Sequence, residues 1–243
     1  MKTKASVLSS LMTLSLLAAP AAHAGDDGPV KSASVDLNGD GKPEALSLSW
    51  DAGKDEFILK AGNATVRGPT DGNEPAGFEV VDIDSGDKRK ELVVSKGQTD
   101  YDKQQFLYAF DGKALKPLGS VPALTEAKGN GIILSDSWQG FWNRRDKFTL
   151  DAKAGNVTEV PQELYAVGVE ATVKQSFPLA RSRTDKAPVA TLAQGSKIQV
   201  LAAAPVGKKG AGYLYLVKSS TGLLVWATEK DLTGKTEGLP FAG

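Results

Sequence analysis

The segment VDLNGDGKPE, residues 35–44, runs directly into ALSLSW, residues 45–50. Side-chain oxygens occur at every second position of this segment, on Asp36, Asn38 and Asp40. Gly41 follows them and permits the sharp turn that would bring these oxygens to one point. Hard oxygen ligands in this number suit Ca²⁺ better than a transition metal. The segment therefore predicts a calcium-binding loop.

The positions after Gly41 decide which kind of calcium loop is expected. Lys42 would contribute its backbone carbonyl and Glu44 a carboxylate. An EF-hand loop needs a bidentate glutamate at its twelfth position, and Ser47 stands there. Pro43 prevents a helix, and ALSLSW alternates as a strand does, so we expect a loop that opens a strand. The alternative is a polar turn without metal, because NGDG is also a favourable turn sequence.

A second segment, FEVVDIDSGDKRKELVVS at residues 78–95, has a similar pattern. The acids that precede its strand-like end are Asp82, Asp84, Asp87 and Glu91. The interval from Asp36 to Asp82 is 46 residues, within the roughly 40–50 residues typical of propeller-type repeats. The alternative is a solvated hairpin loop, because three basic residues, 88–90, crowd the acids.

Both segments resemble the FG-GAP (VCBS) repeats of the integrin α-subunit type, in which a D-x-D/N-x-D-G-x-x-D/E-L loop precedes a strand. The first segment matches at Asp36, Asn38, Asp40, Gly41, Glu44 and Leu46, with the leucine one residue later than in the family. The resemblance implies structural Ca²⁺ with these ligands: Asp36, Asn38, Asp40, Lys42 and Glu44 in the first loop, and Asp82, Asp84, Asp87 and Glu91 in the second. Propellers use four to eight blades, and about 140 residues hold only three repeats of this length, so we expect an open β-sheet assembly.

The N-terminal residues have the features of a secretory signal peptide. Lys2 and Lys4 precede an apolar run, and AHA at residues 22–24 provides a small-residue cleavage site. We therefore expect residues 1–24 to be a bacterial leader and the mature protein to be periplasmic or secreted. No later run approaches the roughly 20 apolar residues of a membrane helix, so we expect no membrane span.

The composition excludes several classes of function. The leader takes two lysines and no acids from 29 basic and 29 acidic residues, which leaves a net charge near −2 and no basic excess for a nucleic-acid partner. The leader also contains the only histidine, His23, and the chain has no cysteine. These absences exclude histidine-based nucleophilic sites, zinc sites built from His or Cys, and disulfides. We therefore expect a protein that is not an enzyme.

Short apolar runs separated by turn residues predict an all-β chain. The pair 111–112, Asp-Gly, lies between QFLYAF and KALKPLG and predicts a hairpin turn. The composition changes near residue 164, after which Trp and Asp become rarer and Ala, Lys and Thr more frequent. We therefore predict a signal peptide at 1–24, an FG-GAP-like β domain at 25–163, a second domain at 164–237 and a tail at 238–243.

The second domain contains PLARSRTDKAPVATLAQGSKIQVL, GYLYLV and GLLVWATEKDL in this order. These motifs resemble the bacterial Src-homology-3-like family of secreted and cell-wall proteins, with Tyr213 where the family has Trp and Leu224 where Gly is common. We expect a five-stranded β-barrel with a core of Val189, Leu192, Ile198, Val200, either Leu214 or Leu216, and Val225. The resemblance implies binding of cell-wall peptide or polypeptide ligands at a surface formed by Arg181, Arg183, Tyr213, Tyr215 and Trp226. The alternative is that these residues only support the barrel.

Together, these features predict a non-catalytic exported bacterial protein, stabilised by Ca²⁺, that binds a cell-wall peptide or an envelope protein. One alternative is a carboxylate-based wall or glycan hydrolase that uses two acids among Asp82, Asp84, Asp87, Glu91 and Asp136. Another is a periplasmic inhibitor or assembly partner.

Overall fold

The computed structural model describes residues 28–97, 103–151, 153–185, 187–207 and 212–241. The expected signal peptide, residues 1–24, lies outside the described residues. The described chain is all-β with several antiparallel sheets, as the alternating pattern predicts. Within these ranges, no helix has the length and apolar character needed to cross a membrane.

The first part of the chain forms three antiparallel sheets, each built from four strands in sequence order. Sheet one contains β1 (Ser32–Val35), β2 (Glu44–Asp51), β3 (Glu56–Ala61) and β4 (Ala64–Pro69). Sheet two contains β5 (Phe78–Val81), β6 (Glu91–Lys96), β7 (Gln104–Phe110) and β8 (Leu115–Val121). Sheet three contains β9 (Leu124–Ala127), β10 (Ile132–Trp138), β11 (Asn143–Asp151) and β12 (Asn156–Glu159). The first strands begin at Ser32, Phe78 and Leu124, so the sheets repeat at intervals of 46 residues.

Sheet two lies between the other two sheets. Along β6, Leu92 and Val94 belong to a hydrophobic cluster shared with sheet one. Val93, between them, belongs to a second cluster shared with sheet three. Successive side chains of a strand point to opposite faces, so both faces of this strand are covered. The predicted hairpin turn at residues 111–112 is confirmed, since it joins β7 to β8.

The core between sheets one and two includes a close contact of an aromatic ring with a glycine. Phe57 on β3 is fully buried and lies directly opposite Gly68 on β4. A Cβ atom added to Gly68 would lie 2.4 Å from Cζ of the Phe57 ring. The ring therefore occupies the space that any other residue at position 68 would fill.

We expect Gly68→Ala to lower the free energy of unfolding by about 1–3 kcal/mol, because the methyl group would displace the Phe57 ring from a packed core. The measurement is urea-induced unfolding. Gly53→Ala is the control, since its Cβ would meet only Asp51 Oδ1, at 3.6 Å. Equal stability of the two variants would contradict this account of the core.

The remaining strands form a five-stranded C-terminal sheet and a separate hairpin. The sheet has the order β18-β17-β16-β13-β19, formed by β13 (Tyr165–Val173), β16 (Lys197–Pro205), β17 (Tyr213–Ser219), β18 (Leu224–Thr228) and β19 (Thr236–Glu237). The hairpin contains β14 (Phe177–Leu179) and β15 (Ala190–Leu192). One short helix, α1 (Glu229–Lys235), follows β18, and the Thr228 hydroxyl caps it by accepting a bond from the Asp231 N–H.

The expected closed barrel is not formed by the described strands. The hairpin meets the five-stranded sheet through one antiparallel bridge between Ala180 and Trp226. Their two backbone hydrogen bonds are 2.9 and 2.8 Å long. Two bonds do not extend into a ladder, so the sheet stays open along the rest of β18.

The C-terminal core is completed by residues from sheet three. Phe141 and Trp142, in the turn between β10 and β11, are buried in the same cluster as the core residues of the C-terminal sheet. The Trp142 indole N–H donates to the hydroxyl of Tyr215, at 3.2 Å. Residues from before the predicted boundary at 164 therefore contribute to the core beyond it.

Candidate calcium loops and ligand groove

The loops between the first and second strands of the three sheets lie side by side. They are residues 36–43, 82–90 and 128–131. The first and second are joined by a bond from Lys90 N–H to the Leu37 carbonyl, 2.9 Å. The second and third are joined by a bond from Gly131 N–H to the Ile83 carbonyl, 2.8 Å. Both acidic segments of the sequence are therefore at one end of the stacked sheets.

In the first loop, carboxylates accept bonds from the backbone that they surround. Asp36 accepts from the N–H groups of Gly39 and Gly41, both at 2.8 Å. Asp40 accepts from the Lys42 N–H, also at 2.8 Å. The two glycines have φ of +75° and +84°, a region that favours glycine, and this conformation turns their N–H groups inward. The loop opens β2, as the sequence predicts.

Gly39 is also needed for the contact with the second loop. A Cβ atom at this position would lie 2.9 Å from the carbonyl oxygen of Lys88. The backbone of the second loop therefore packs directly on the glycine of the first.

A glutamate at the start of the second strand has the same role in both acidic loops. Glu44 Oε2 accepts from the Leu37 N–H at 2.8 Å, and Glu91 Oε2 accepts from the Ile83 N–H at 3.1 Å. Leu37 and Ile83 are fully buried and each follows the first aspartate of its loop. A buried backbone N–H needs an acceptor, and the strand-opening glutamate supplies it.

The second loop has its own set of turn bonds. Asp84 accepts from the Gly86 N–H at 3.1 Å, and Asp87 accepts from the Arg89 N–H at 2.8 Å. Asp82 Oδ1 is buried and has no hydrogen-bond partner. Among the described residues it is the only buried side-chain nitrogen or oxygen in this condition.

Glu91 is 3% exposed, although it is a carboxylate. Burial raises the pKa of Glu91 to about 7, and the neighbouring charges of Asp87 and Asp82 act in the same direction. The bond from Ile83 N–H opposes these effects. The second loop therefore places unfavourable negative charge close to a buried backbone.

The residues of both loops fit calcium in their chemistry. All of the candidate ligand atoms in the two loops are oxygens, which calcium prefers. The buried Asp82 oxygen, which has no hydrogen-bond partner, is available to bind a cation. In the described parts of the chain, no group of three acidic, His or Cys side chains is already gathered tightly enough to hold an ion. Asp36 and Asp40 would therefore exchange bonds to loop N–H groups for bonds to the ion.

The third loop differs from the other two in composition. Its residues, Lys128, Gly129, Asn130 and Gly131, include no acid. Asn130 forms an antiparallel bridge with Asp84 of the second loop. This loop therefore covers the second loop and offers no carboxylate of its own.

The buried carboxylate makes stability depend on pH. The pKa of Glu91 in the folded protein, about 7, lies above the ordinary value of 4.5, so the folded state binds this proton more tightly than the unfolded state. The free energy of unfolding is therefore expected to fall as the pH rises from 4.5 to 7. Glu91→Gln should remove this dependence and be more stable than the original chain above pH 7, by up to about 3 kcal/mol. The free energy of unfolding of both chains is measured by urea unfolding at several pH values, without Ca²⁺. An unchanged slope in Glu91→Gln would contradict the assignment.

Two residues of the expected ligand surface line one groove in the C-terminal part. The Arg183 guanidinium carbon lies 5.9 Å from the ring centroid of half-buried Trp226, within range of a cation–π contact. Both residues line a groove of about 180 Å³. Its other walls include Pro178, Pro188, Leu214, Ser182, Asp185 and Asp231. Arg181 is exposed but does not line this groove. We call this cavity the Arg183–Trp226 groove.

The other two residues of the expected surface are in the core. Tyr213 and Tyr215 are 7% and 0% exposed, so the expectation that they form a ligand surface is wrong. The hydroxyl of Tyr213 donates to Gln139 Oε1 at 3.1 Å, and Tyr215 accepts from Trp142. Both partners belong to the turn of sheet three, which reaches into this core.

The expected core of this region is also wrong in part, because the inward face of β17 is the one with the tyrosines. Strand β17 alternates with Tyr213, Tyr215 and Val217 inward, so Leu214 and Leu216 are half-exposed on the other face. Val189 is also outside the core, at 45% exposure. Leu192, Ile198, Val200 and Val225 are buried as predicted. In GYLYLV every position is apolar or aromatic, so the sequence pattern does not distinguish the two faces.

We expect Tyr215→Phe to lower the free energy of unfolding by about 1–3 kcal/mol, because the buried Trp142 N–H would lose its acceptor. Tyr108→Phe is the matched control: Tyr108 is also buried, but its hydroxyl has no hydrogen bond to another described residue. Thermal unfolding monitored by tryptophan fluorescence measures both. A Tyr215→Phe variant as stable as Tyr108→Phe would contradict this role.

Comparison of the chain with protein-family models, with curated proteins and with solved structures finds no match.

Proposed function

We propose that this chain is a non-catalytic exported protein of the bacterial cell envelope. In this proposal, FG-GAP-like repeats stabilised by Ca²⁺ support a Src-homology-3-like unit that binds a cell-wall peptide or an envelope protein. The observation that carries the proposal is the repetition of one loop design. In both acidic loops an aspartate precedes a buried N–H that is bonded to a strand-opening glutamate, and each loop opens the second strand of a four-stranded sheet.

Three features support structural calcium. The loops are rich in carboxylates, and one buried oxygen, on Asp82, has no partner. Glu91 is buried among like charges, which a divalent cation would neutralise. The chain has no cysteine, so no disulfide holds these loops. When bound, Ca²⁺ would supply charge neutralisation and a crosslink within the loop.

Binding through the C-terminal part is supported by the Arg183–Trp226 groove. An aromatic face, two prolines and a leucine offer an apolar surface, while Arg183 and Asp185 place opposite charges at its edge. Asp231 is engaged by the Thr228 hydroxyl and by Lys235. Arg183 is more exposed than Asp231 and has one ion pair, with the exposed Glu163 at 3.6 Å, so a ligand carboxylate would replace Glu163 there. Such a groove suits an extended peptide that offers a carboxylate next to an apolar side chain.

We expect Ca²⁺ in excess over its dissociation constant to raise the melting temperature by about 5–10 °C. Asp82→Asn and Asp36→Ala should each reduce this rise, because each removes a ligand charge. Asp185→Asn is the control, since this exposed acid lies in the C-terminal part. Differential scanning calorimetry with Ca²⁺, with Mg²⁺ and with chelator measures the effect. No rise with Ca²⁺, together with Asp36→Ala and Asp40→Ala behaving as the original chain, would contradict calcium binding.

We expect the mature chain to sediment with purified peptidoglycan sacculi, and Arg183→Gln to weaken this binding by roughly tenfold. Arg181→Gln is the matched control, since Arg181 lies two residues away and outside the groove. The experiment is run with and without Ca²⁺. Equal retention of the two variants by sacculi would contradict binding through this groove. No retention of the original chain would contradict wall binding altogether.

A carboxylate-based hydrolase is the second candidate, and the environment of Glu91 favours it. Glu91, with its raised pKa, lines a cavity of about 340 Å³ together with Asp87 and Asp111. Asp136 is less suited to this role, because both of its oxygens are bonded to Arg145, at 2.8 and 2.7 Å. Release of soluble fragments from the same sacculi, abolished by Glu91→Gln, would support the hydrolase over the binding protein.

A further inference from the structure

A groove of about 440 Å³ lies on the outer face of the five-stranded C-terminal sheet, and it shares no lining residue with the Arg183–Trp226 groove. Its polar lining comes from four neighbouring strands: β17, β16, β13 and β19. The charged and polar side chains that line it include Glu170, Thr172, Lys197, Gln199, Lys218 and Glu237. We call this the charge-ordered groove.

The strand register arranges these side chains in two rows across the sheet. In the first row, Lys218 on β17 lies opposite Gln199 on β16, which lies opposite Glu170 on β13. In the second row, Lys197 on β16 lies opposite Thr172 on β13, which lies opposite Glu237 on β19. Each row therefore has a lysine at one end, a neutral hydrogen-bonding residue in the middle and a glutamate at the other end.

The four charged ends form no ion pairs among the described residues. Lys197, Lys218, Glu170 and Glu237 are all exposed. The only side-chain bond within the rows is from Gln199 Nε2 to Glu170 Oε1, 3.1 Å. Within each row the opposite charges are two strands apart. Lys197 and Glu170 are diagonal neighbours on adjacent strands but form no ion pair, so both remain open to a ligand.

The spacing defines the length of a suitable ligand. Neighbouring strands are about 4.8 Å apart, so the ends of a row are about 10 Å apart. An extended peptide advances about 3.3–3.6 Å per residue, so three residues span this distance. A tripeptide with free ends carries an ammonium and a carboxylate at this separation.

We propose that the charge-ordered groove binds a short zwitterionic peptide, about three residues long. Its carboxylate lies at Lys197 and Lys218, and its ammonium at Glu170 and Glu237. Thr172 and Gln199 bond the peptide backbone between them. The site is separate from the Arg183–Trp226 groove, so the two bind independently.

The probe is tri-alanine, and binding is followed by NMR through the backbone amides of Thr172 and Gln199. Tri-alanine should bind more tightly than tri-alanine blocked at both ends, and more weakly at high ionic strength. Lys218→Gln, Lys197→Gln and Glu237→Gln should each weaken binding roughly twofold to fivefold, the effect of one exposed ion pair. Lys60→Gln, another exposed strand lysine but in sheet one, should leave binding unchanged.

Half-blocked peptides test the orientation. N-acetyl-tri-alanine lacks the ammonium, so its binding should respond to the lysine variants and no longer to Glu237→Gln. Tri-alanine amide should show the reverse. All of these substitutions are on exposed side chains, so the melting temperature should not change and loss of binding would not reflect unfolding.

Equal binding of tri-alanine and its doubly blocked form would overturn the proposal, as would an absence of shifts at Thr172 and Gln199. A chain dimer that dissociates at high salt and in Lys218→Gln would also overturn it, because the groove would then be a contact between two copies. Arg183→Gln should leave tri-alanine binding intact. Failure of this proposal and failure of sacculus binding are therefore separate results.

Discussion

Sheet two packs against a neighbouring sheet on both faces, and this constraint governs the candidate calcium site. The enclosure buries the start of β6, including Glu91, beneath the neighbouring loops. A carboxylate in this place satisfies the Ile83 N–H but carries a raised pKa and lies near the unpartnered oxygen of Asp82. A bound cation would relieve both conditions, since it would neutralise the charge and coordinate the free oxygen.

The same enclosure is weaker around the first loop. There Glu44 makes the equivalent bond but is only half-buried, and the carboxylates of Asp36 and Asp40 are occupied by loop N–H groups. The first loop has the more regular spacing in sequence, yet the second contains the unpartnered oxygen. Burial, rather than ligand spacing alone, thus distinguishes the two loops.

A second interaction connects the repeats to the C-terminal part. The turn between β10 and β11 inserts Phe141 and Trp142 into the C-terminal core, and its Gln139 accepts a bond from Tyr213. Tyr213 and Tyr215 consequently point inward, and the outer face of this region is left to Leu214, Leu216 and Trp226. The Arg183–Trp226 groove depends on this choice of face, because Leu214 is one of its walls.

Sequence alone determined the all-β class, the strand that follows each acidic loop and the 46-residue interval at which the sheets begin. These features are local, because turn residues and two-residue alternation act over a few positions. Sequence alone did not determine which face of β17 points inward, because tyrosines and leucines alternate along this strand. It also did not predict the short helix after Thr228. The tertiary structure decided those features, together with the burial of Glu91 and the two charged rows of the C-terminal sheet. Each of these features depends on which distant segments pack together. The hydrogen bond from Trp142 to Tyr215, for example, joins residues 73 positions apart in the chain.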